Sequence, residues 1–290
     1  MKEAILYKKL DNHRVLCRVC PHACTIDEGQ RGLCQVRQNL EGKLYALNYG
    51  QTIALQVDPI EKKPLHRFMP KTFSYSLAAM GCNMRCLWCQ NASIAWAPKN
   101  NAPVQGYPLD AAYHVKKALE HHCDSIAYTY TEPTVFLEYA LDIMKGARQK
   151  GLKNVWVSNG FATEATWQKV EPYLDAINID IKAANAQDYK QYCQGDYQPV
   201  LNSIEYLHNA GVHIEITICI VPEINDDDTN LRHIFKDLIA IVHPKTPVHL
   251  SRFFPAHQYK NHEPTPIETL KKAKTIAREL GFKDVILGNI

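Results

Sequence analysis

The chain has 290 residues, 46% hydrophobic and 22% charged, which is ordinary globular composition and enough length for one large domain with a small addition. Its net charge of +3 is interspersed rather than clustered, so it carries no electrostatic footprint for nucleic acid. Met1–Lys9 lacks the apolar core of a signal peptide, and no run reaches the about 18 apolar residues of a membrane span; a cytoplasmic protein is expected, whose ten cysteines are ligands or buried thiols rather than disulfides.

Residues 1–70 differ in character from the rest. Cys17, Cys20, Cys24 and Cys34 fall at C-x2-C-x3-C-x9-C among turn formers, with Gly29 and Gly32 free to fold the backbone around a metal. Four thiolates make a closed site, for zinc or a second iron–sulfur cluster, suited to structure or electron relay. After the glycine turn at Gly42, the alternation through Gly50 predicts a short strand pair. Asp58–His66, with two prolines and many charges, reads as a linker or surface strap.

From residue 71 to 290, apolar runs alternate with helical patterns. Six strands are expected at Ser74–Met80, Ser125–Tyr130, Asn154–Ser158, Ala176–Ile181, His213–Val221 and Val248–Phe254, with an extra one at Asp284–Leu287. Helices are expected at Asp110–His121, Thr134–Lys150, Thr163–Leu174, Pro199–Ala210, Asp228–Val242 and Thr265–Leu280, the last with Thr265 as N-cap and a stop at Gly281. Six β–α units with right-handed crossovers predict an α/β fold around a parallel sheet, with functional groups at the carboxyl ends of the strands.

Directly after the first strand stands Cys82-x3-Cys86-x2-Cys89. Three thiolates are too few to close a four-ligand site, and on a four-iron cluster they leave one iron open to an external ligand. Trp88 offers a flat apolar face to a purine, and Asn91 a short amide. This stretch resembles the signature of the radical S-adenosylmethionine (SAM) enzymes. It is similar to the pyruvate formate-lyase-activating branch and, over nearly the whole chain, to the radical SAM enzymes of the AmmeMemoRadiSam system.

The resemblance implies an open (βα)6 partial TIM barrel with a Cys-rich N-terminal appendage, a [4Fe–4S] cluster on Cys82, Cys86 and Cys89, and SAM as cofactor. It also implies a flavodoxin, ferredoxin or reductase as electron donor. At the second strand end Glu132 stands where the family's Gly-Gly-Glu meets the SAM amino group, although Tyr130-Thr131 replaces the glycines; Glu132 can equally cap the helix beginning near Thr134.

Ser158 and Asn159 match the activating enzymes' Thr-Asn-Gly-Phe, and turn chemistry alone also explains Asn159-Gly160. Asp180 and Lys182 share one side of the fourth strand, and two charges in an apolar strand need each other or a ligand. The family implies that Lys182 reads the SAM carboxylate, that Asp180 orders it, and that His257, after the sixth strand, contacts carboxylate or ribose. Thr217 stands where the activating enzymes carry an arginine. Cys123, Cys193 and Cys219 read as packing thiols.

The substrate expected is a small molecule or an unknown target. A glycyl-radical protein and a non-catalytic iron–sulfur or zinc electron-transfer protein are the rival readings.

Overall fold

The computed structural model describes residues 1–96 and 102–290. Its centre is one sheet in which seven strands run parallel in sequence order: β1 Phe73–Ala79, β2 Ser125–Tyr128, β3 Lys153–Ser158, β4 Ala176–Ile181, β5 His213–Ile220, β6 Val248–Arg252 and β7 Val285–Gly288. Each is rich in β-branched and aliphatic residues covered on both faces; β4 buries every residue but Asp180. Helices α1 Ala111–Glu120, α2 Leu137–Gln149, α3 Glu164–Val170, α4 Tyr197–Asn209, α5 Asp228–Ile241 and α6 Ile267–Glu279 connect them. The sheet remains open, so β1 and β7 never pair.

Strand and helix positions follow the sequence expectation to within a few residues. Helix α6 differs at its start. Thr265 does not cap it; its hydroxyl donates to Ile220 O at 2.6 Å and accepts from Phe253 N at 3.0 Å, bridging the ends of β5 and β6 instead. Tertiary hydrogen bonding outcompetes the local cap.

Residues 58–66 also depart from expectation, because they are neither linker nor surface strap. Gln51–Pro59 pairs antiparallel with β1 and joins the large sheet. Two charges of residues 58–66 are buried as a pair: Lys63 Nζ reaches Asp58 Oδ2 at 2.6 Å, and Tyr130 Oη donates to the same oxygen at 2.6 Å. Asn178 Nδ2 donates to Pro64 O at 2.9 Å, so the segment closes against the strands.

Glu215 anchors its end. Fully buried on β5, its carboxylate accepts from His66 N (2.9 Å), Arg67 N (2.7 Å), His213 Nε2 (3.0 Å) and His249 Nε2 (2.6 Å). Burial alone would raise its pKa, but these four donors hold it down at about 2, from an ordinary 4.5. A depressed folded-state pKa means stability that is present above the unfolded value and lost as pH falls through the folded one. Glu215→Gln is expected to cost about 3 kcal/mol at neutral pH. In thermal melts at successive pH values, the gap to wild type should close between about pH 4.5 and about pH 2. A gap independent of pH would show that shape, not charge, carries the effect.

The N-terminal residues form two small antiparallel sheets, Tyr7–Lys9 with Val15–Cys17 and Thr25–Ile26, and Lys2–Glu3 with Lys43–Ala46 and Arg37–Leu40. The expected strand pair is present, turned at Gly42. A buried bidentate ion pair fixes this part to α2: Arg37 reaches the two Glu138 oxygens at 3.1 and 2.8 Å.

A cysteine-lined cavity at the carboxyl end of the sheet

The first strand ends in Gly81, whose φ of +116° suits glycine, and a Cβ there would fall 2.9 Å from both Val36 methyls. Glycine therefore lets the Cys34–Val36 segment pack against the loop that follows. That loop, Cys82–Cys89, is braced from outside by the π-helical turn Tyr189–Cys193: Arg85 N donates to Cys193 O at 2.7 Å and Leu87 N to Tyr192 O at 3.0 Å. The segment after β6 covers it, with Gln258 N donating to Leu87 O at 2.9 Å.

All three cysteines line a cavity of about 350 Å³ at the carboxyl ends of the strands. Burial pushes the Cys82 thiol up, helped by the Glu132 carboxyl and Cys86, and burial and Cys86 raise Cys89. Cys193 stands within hydrogen-bond reach of Cys86 and, with burial, raises it strongly. Two donors point at Cys82 Sγ, Met84 N at 3.3 Å and Asn159 Nδ2 at 3.6 Å, an arrangement that stabilises a ligating thiolate. Among the described residues no three His, Cys, Asp or Glu side chains gather tightly enough to hold a single ion. A four-iron cluster asks for something else: its thiolates sit on separate irons at separate corners. Three soft donors with no carboxylate or imidazole closing the set fit such a cluster.

Of the residues singled out from sequence, Trp88, Asn91, Glu132, Ser158, Asn159, Asp180 and Lys182 all line the same cavity. Trp88 is buried among Tyr192 and Tyr259. Asn91 Nδ2 donates to Tyr130 O at 2.8 Å. Glu132 does cap the turn Pro133–Phe136, through Thr134 N at 3.0 Å; it also accepts from Thr134 Oγ1 (2.5 Å), Ser158 Oγ (2.9 Å) and Asn159 N (2.8 Å). Burial raises its pKa against those donors. Thus one carboxyl ties the ends of β2 and β3.

The missing glycines before Glu132 have a structural replacement. Tyr130 itself takes a φ of +64°, the left-handed conformation that glycine adopts cheaply. Its hydroxyl bond to Asp58 and the Lys63 ammonium 4.7 Å over its ring oppose that strain.

Lys182 Nζ donates to Asp180 Oδ2 at 2.9 Å. Burial would lower the lysine, but Asp180 and the Cys86 and Cys219 sulfurs raise it well above its ordinary value, so it stays charged. Thr217 Oγ1 is turned inward to Asn178 Oδ1 at 2.9 Å.

His257 is not brought to the cavity. It is exposed, at a φ of +52°, with its ring on Trp96 at 4.4 Å between centroids. Arg252, Ser251, Asn289 and Lys62, not singled out from sequence, also line the cavity, and so does Cys219, which is therefore not the packing thiol expected. Cys219 was legible by register, since strand alternation places it with Thr217 on one side of β5. Lys62 and Asn289, outside the six units, left no such signal.

The N-terminal quartet lies beside this loop. Arg85 spans the two, donating to Cys82 O at 2.8 Å and Leu33 O at 2.8 Å, and His22 Nε2 is 2.7 Å from Asn83 O. Burial raises the Cys17, Cys20 and Cys24 thiols, and neighbouring thiols of the quartet, Cys34 among them, add to the rise.

Fold and site together define an α/β protein that presents three soft-metal ligands and a polar cavity at the carboxyl end of an open, mostly parallel sheet. Residues 78–233, over half the chain, match the Radical SAM superfamily. An uncharacterised protein of Methanocaldococcus jannaschii is 42% identical over 290 residues, 100% of this chain and 86% of the relative. The pyruvate formate-lyase-activating enzyme of Clostridium pasteurianum is 23% identical over 158 residues, 52% of this chain and 63% of that enzyme. Among solved structures, Streptococcus suis SuiB bound to S-adenosylmethionine is similar with a TM-score of 0.55 at 10% identity, over 71% of this chain and 47% of SuiB. A domain of a Bacteroides vulgatus pyruvate-formate lyase-activating enzyme gives 0.50 at 20% identity, over 57% of this chain and 99% of the domain. At those identities the structures speak for the fold alone. The chain belongs to the radical SAM superfamily and is an enzyme of that type. No helix among the described residues is long and apolar enough to cross a membrane.

Proposed function

We propose that Cys82, Cys86 and Cys89 hold a [4Fe–4S] cluster whose open iron takes SAM, and that the cavity positions SAM and a substrate for hydrogen abstraction. The observation carrying this reading is the convergence of Cys82, Cys86 and Cys89, all from one loop, on a cavity that also receives Cys219 of β5 and the polar ends of β2, β3 and β4. Bound there and reduced by an external donor, such a cluster would supply the one electron that splits the sulfonium C–S bond of SAM into methionine and a 5′-deoxyadenosyl radical.

The chain's own groups bind and orient. Lys182, kept charged by Asp180, meets the SAM carboxylate. Glu132, Ser158 and Asn159 form a fixed polar wall for its amino and ribose groups, and Asn159 also donates to Cys82. Trp88 and Asn91 offer the adenine an aromatic wall and an amide. Buried apolar strands around these groups exclude water.

Residues 71–290 serve as an open (βα)6 partial barrel. Residues 1–70 are a Cys-rich appendage whose four thiolates, not gathered tightly enough for a single zinc ion, take an iron–sulfur cluster, the other centre that their spacing allows. Arg85 and His22 make that appendage a neighbour of the catalytic loop, as an electron relay from flavodoxin or ferredoxin would require. The substrate is a small molecule. Activation of a glycyl-radical protein is the second reading, favoured by relatives named as activating enzymes, including that of (2S)-3-sulfopropanediol dehydratase in Klebsiella oxytoca.

An anaerobic reaction of the iron- and sulfide-reconstituted protein with SAM and dithionite tests the chemistry. Release of 5′-deoxyadenosine is expected. A reduced cluster whose electron-paramagnetic spectrum ignores SAM would leave only electron transfer.

A further inference from the structure

The charged side chains that line the cavity are Lys62, Glu132, Asp180, Lys182 and Arg252. Three of them are matched internally. Asp180 and Lys182 neutralise each other at 2.9 Å, and Glu132 is saturated by four donors. Lys62 is only loosely held, 3.4 Å from an Asp58 whose other oxygen already takes Lys63 and Tyr130.

Arg252 differs from all of these. It ends β6, half-buried, paired in register with Ile220. Its Nε donates to Thr265 O at 2.8 Å, and its guanidinium lies 5.1 Å over the Phe254 ring. Those two contacts fix the plane of the group. Its terminal nitrogens have no hydrogen-bond partner among the described residues. Beside it, Ser251 and Asn289 are joined by a 2.9 Å bond and also line the cavity.

A pre-oriented guanidinium with unused terminal donors is a fork shaped for carboxylate or phosphate. Lys182 extends from the end of β4, two strands away and about 10 Å across the sheet at backbone level. The unmatched cation, Arg252, therefore stands apart from Lys182, whose ammonium is already paired with Asp180.

We propose that Arg252, with Lys62 at the rim, binds an acidic group of the substrate, which is therefore a carboxylate- or phosphate-bearing molecule. This rests on the reading that the cysteine-lined cavity is the reaction site, yet it can fail independently. Inorganic phosphate is the probe. Calorimetric titration of phosphate into the reconstituted protein, with and without SAM, should show binding that survives SAM occupancy. In Arg252→Gln, phosphate affinity should fall at least about tenfold, the loss of one charge-assisted fork. SAM affinity by equilibrium dialysis should shift less than about twofold, within the scatter of an indirect effect. Arg252→Lys, which keeps the charge and loses the fork, should fall between and guards against a variant that misfolds.

Phosphate binding indifferent to both substitutions overturns the proposal. So does a loss confined to SAM affinity, which would hand Arg252 to the cofactor. Phosphate binding that persists in a protein releasing no 5′-deoxyadenosine would keep this site and sink the radical chemistry instead.

Discussion

Alanine at Cys82 or Cys89 should reduce 5′-deoxyadenosine release by more than about 1000-fold, about 4 kcal/mol on the barrier. Ligand count sets the size of this loss. A four-iron cluster held by three thiolates has none to spare; both sulfurs lie in the cavity, and the further cysteine there, Cys219, neighbours Cys86. The long-range bond to these thiols, Asn159 Nδ2 to Cys82 Sγ at 3.6 Å, is a long sulfur contact, and Asn159 keeps Asn83 Oδ1 as acceptor without it, so melting temperatures of the cluster-free variants should stay near wild type. Cys86→Ala is the informative case, because Cys193 stands next to Cys86. That variant should retain more iron than the other two while still failing to cleave SAM, since a shifted ligand misplaces the open corner. Activity within about tenfold of wild type in Cys82→Ala or Cys89→Ala would remove the cluster from these residues.

The legible part of this protein was the part governed by short-range pattern. Continuous apolar runs gave the strands of the large sheet to within a few residues, because a strand covered on both faces has no polar position to spare. The chain order of strands then placed Cys82, Glu132, Ser158 and Lys182 at one end, by the general rule for parallel sheets. What stayed hidden depended on partners far away in sequence. Asp58–His66 looked like a surface strap from its charges and prolines, yet Asp58 pairs with Lys63 inside the segment, and Tyr130, Asn178 and Glu215, all far away in sequence, tie it to the strands. Thr265 had every local reason to cap α6, yet it bridges the ends of two strands. His257 and Arg252 lie five residues apart after the same strand. Only backbone turning, with His257 at positive φ, decides that the arginine faces the cavity and the histidine faces Trp96.

Lys182→Gln should raise the KM for SAM by about 30-fold, about 2 kcal/mol for a charge-assisted contact, with a smaller change in kcat. In the role proposed for it, Lys182 meets the SAM carboxylate, remote from the bond that breaks, so its contribution is made in ground and transition states alike. The partner substitution separates charge from position. Asp180→Asn leaves the ammonium in place but removes the group that outweighs its burial, so the lysine pKa should drop toward the range where buried amines titrate. In wild type, Lys182 is held above its ordinary value and stays protonated. The KM for SAM should then be flat from about pH 6 to about pH 9. In Asp180→Asn the charge is lost as pH rises, and KM should climb on the alkaline side while remaining near wild type at the acid end. Lys182→Gln should show no such slope, having no proton to lose. A KM for SAM unchanged by Lys182→Gln, or an Asp180→Asn profile as flat as wild type, would leave Asp180–Lys182 a structural ion pair at the end of β4 and nothing more.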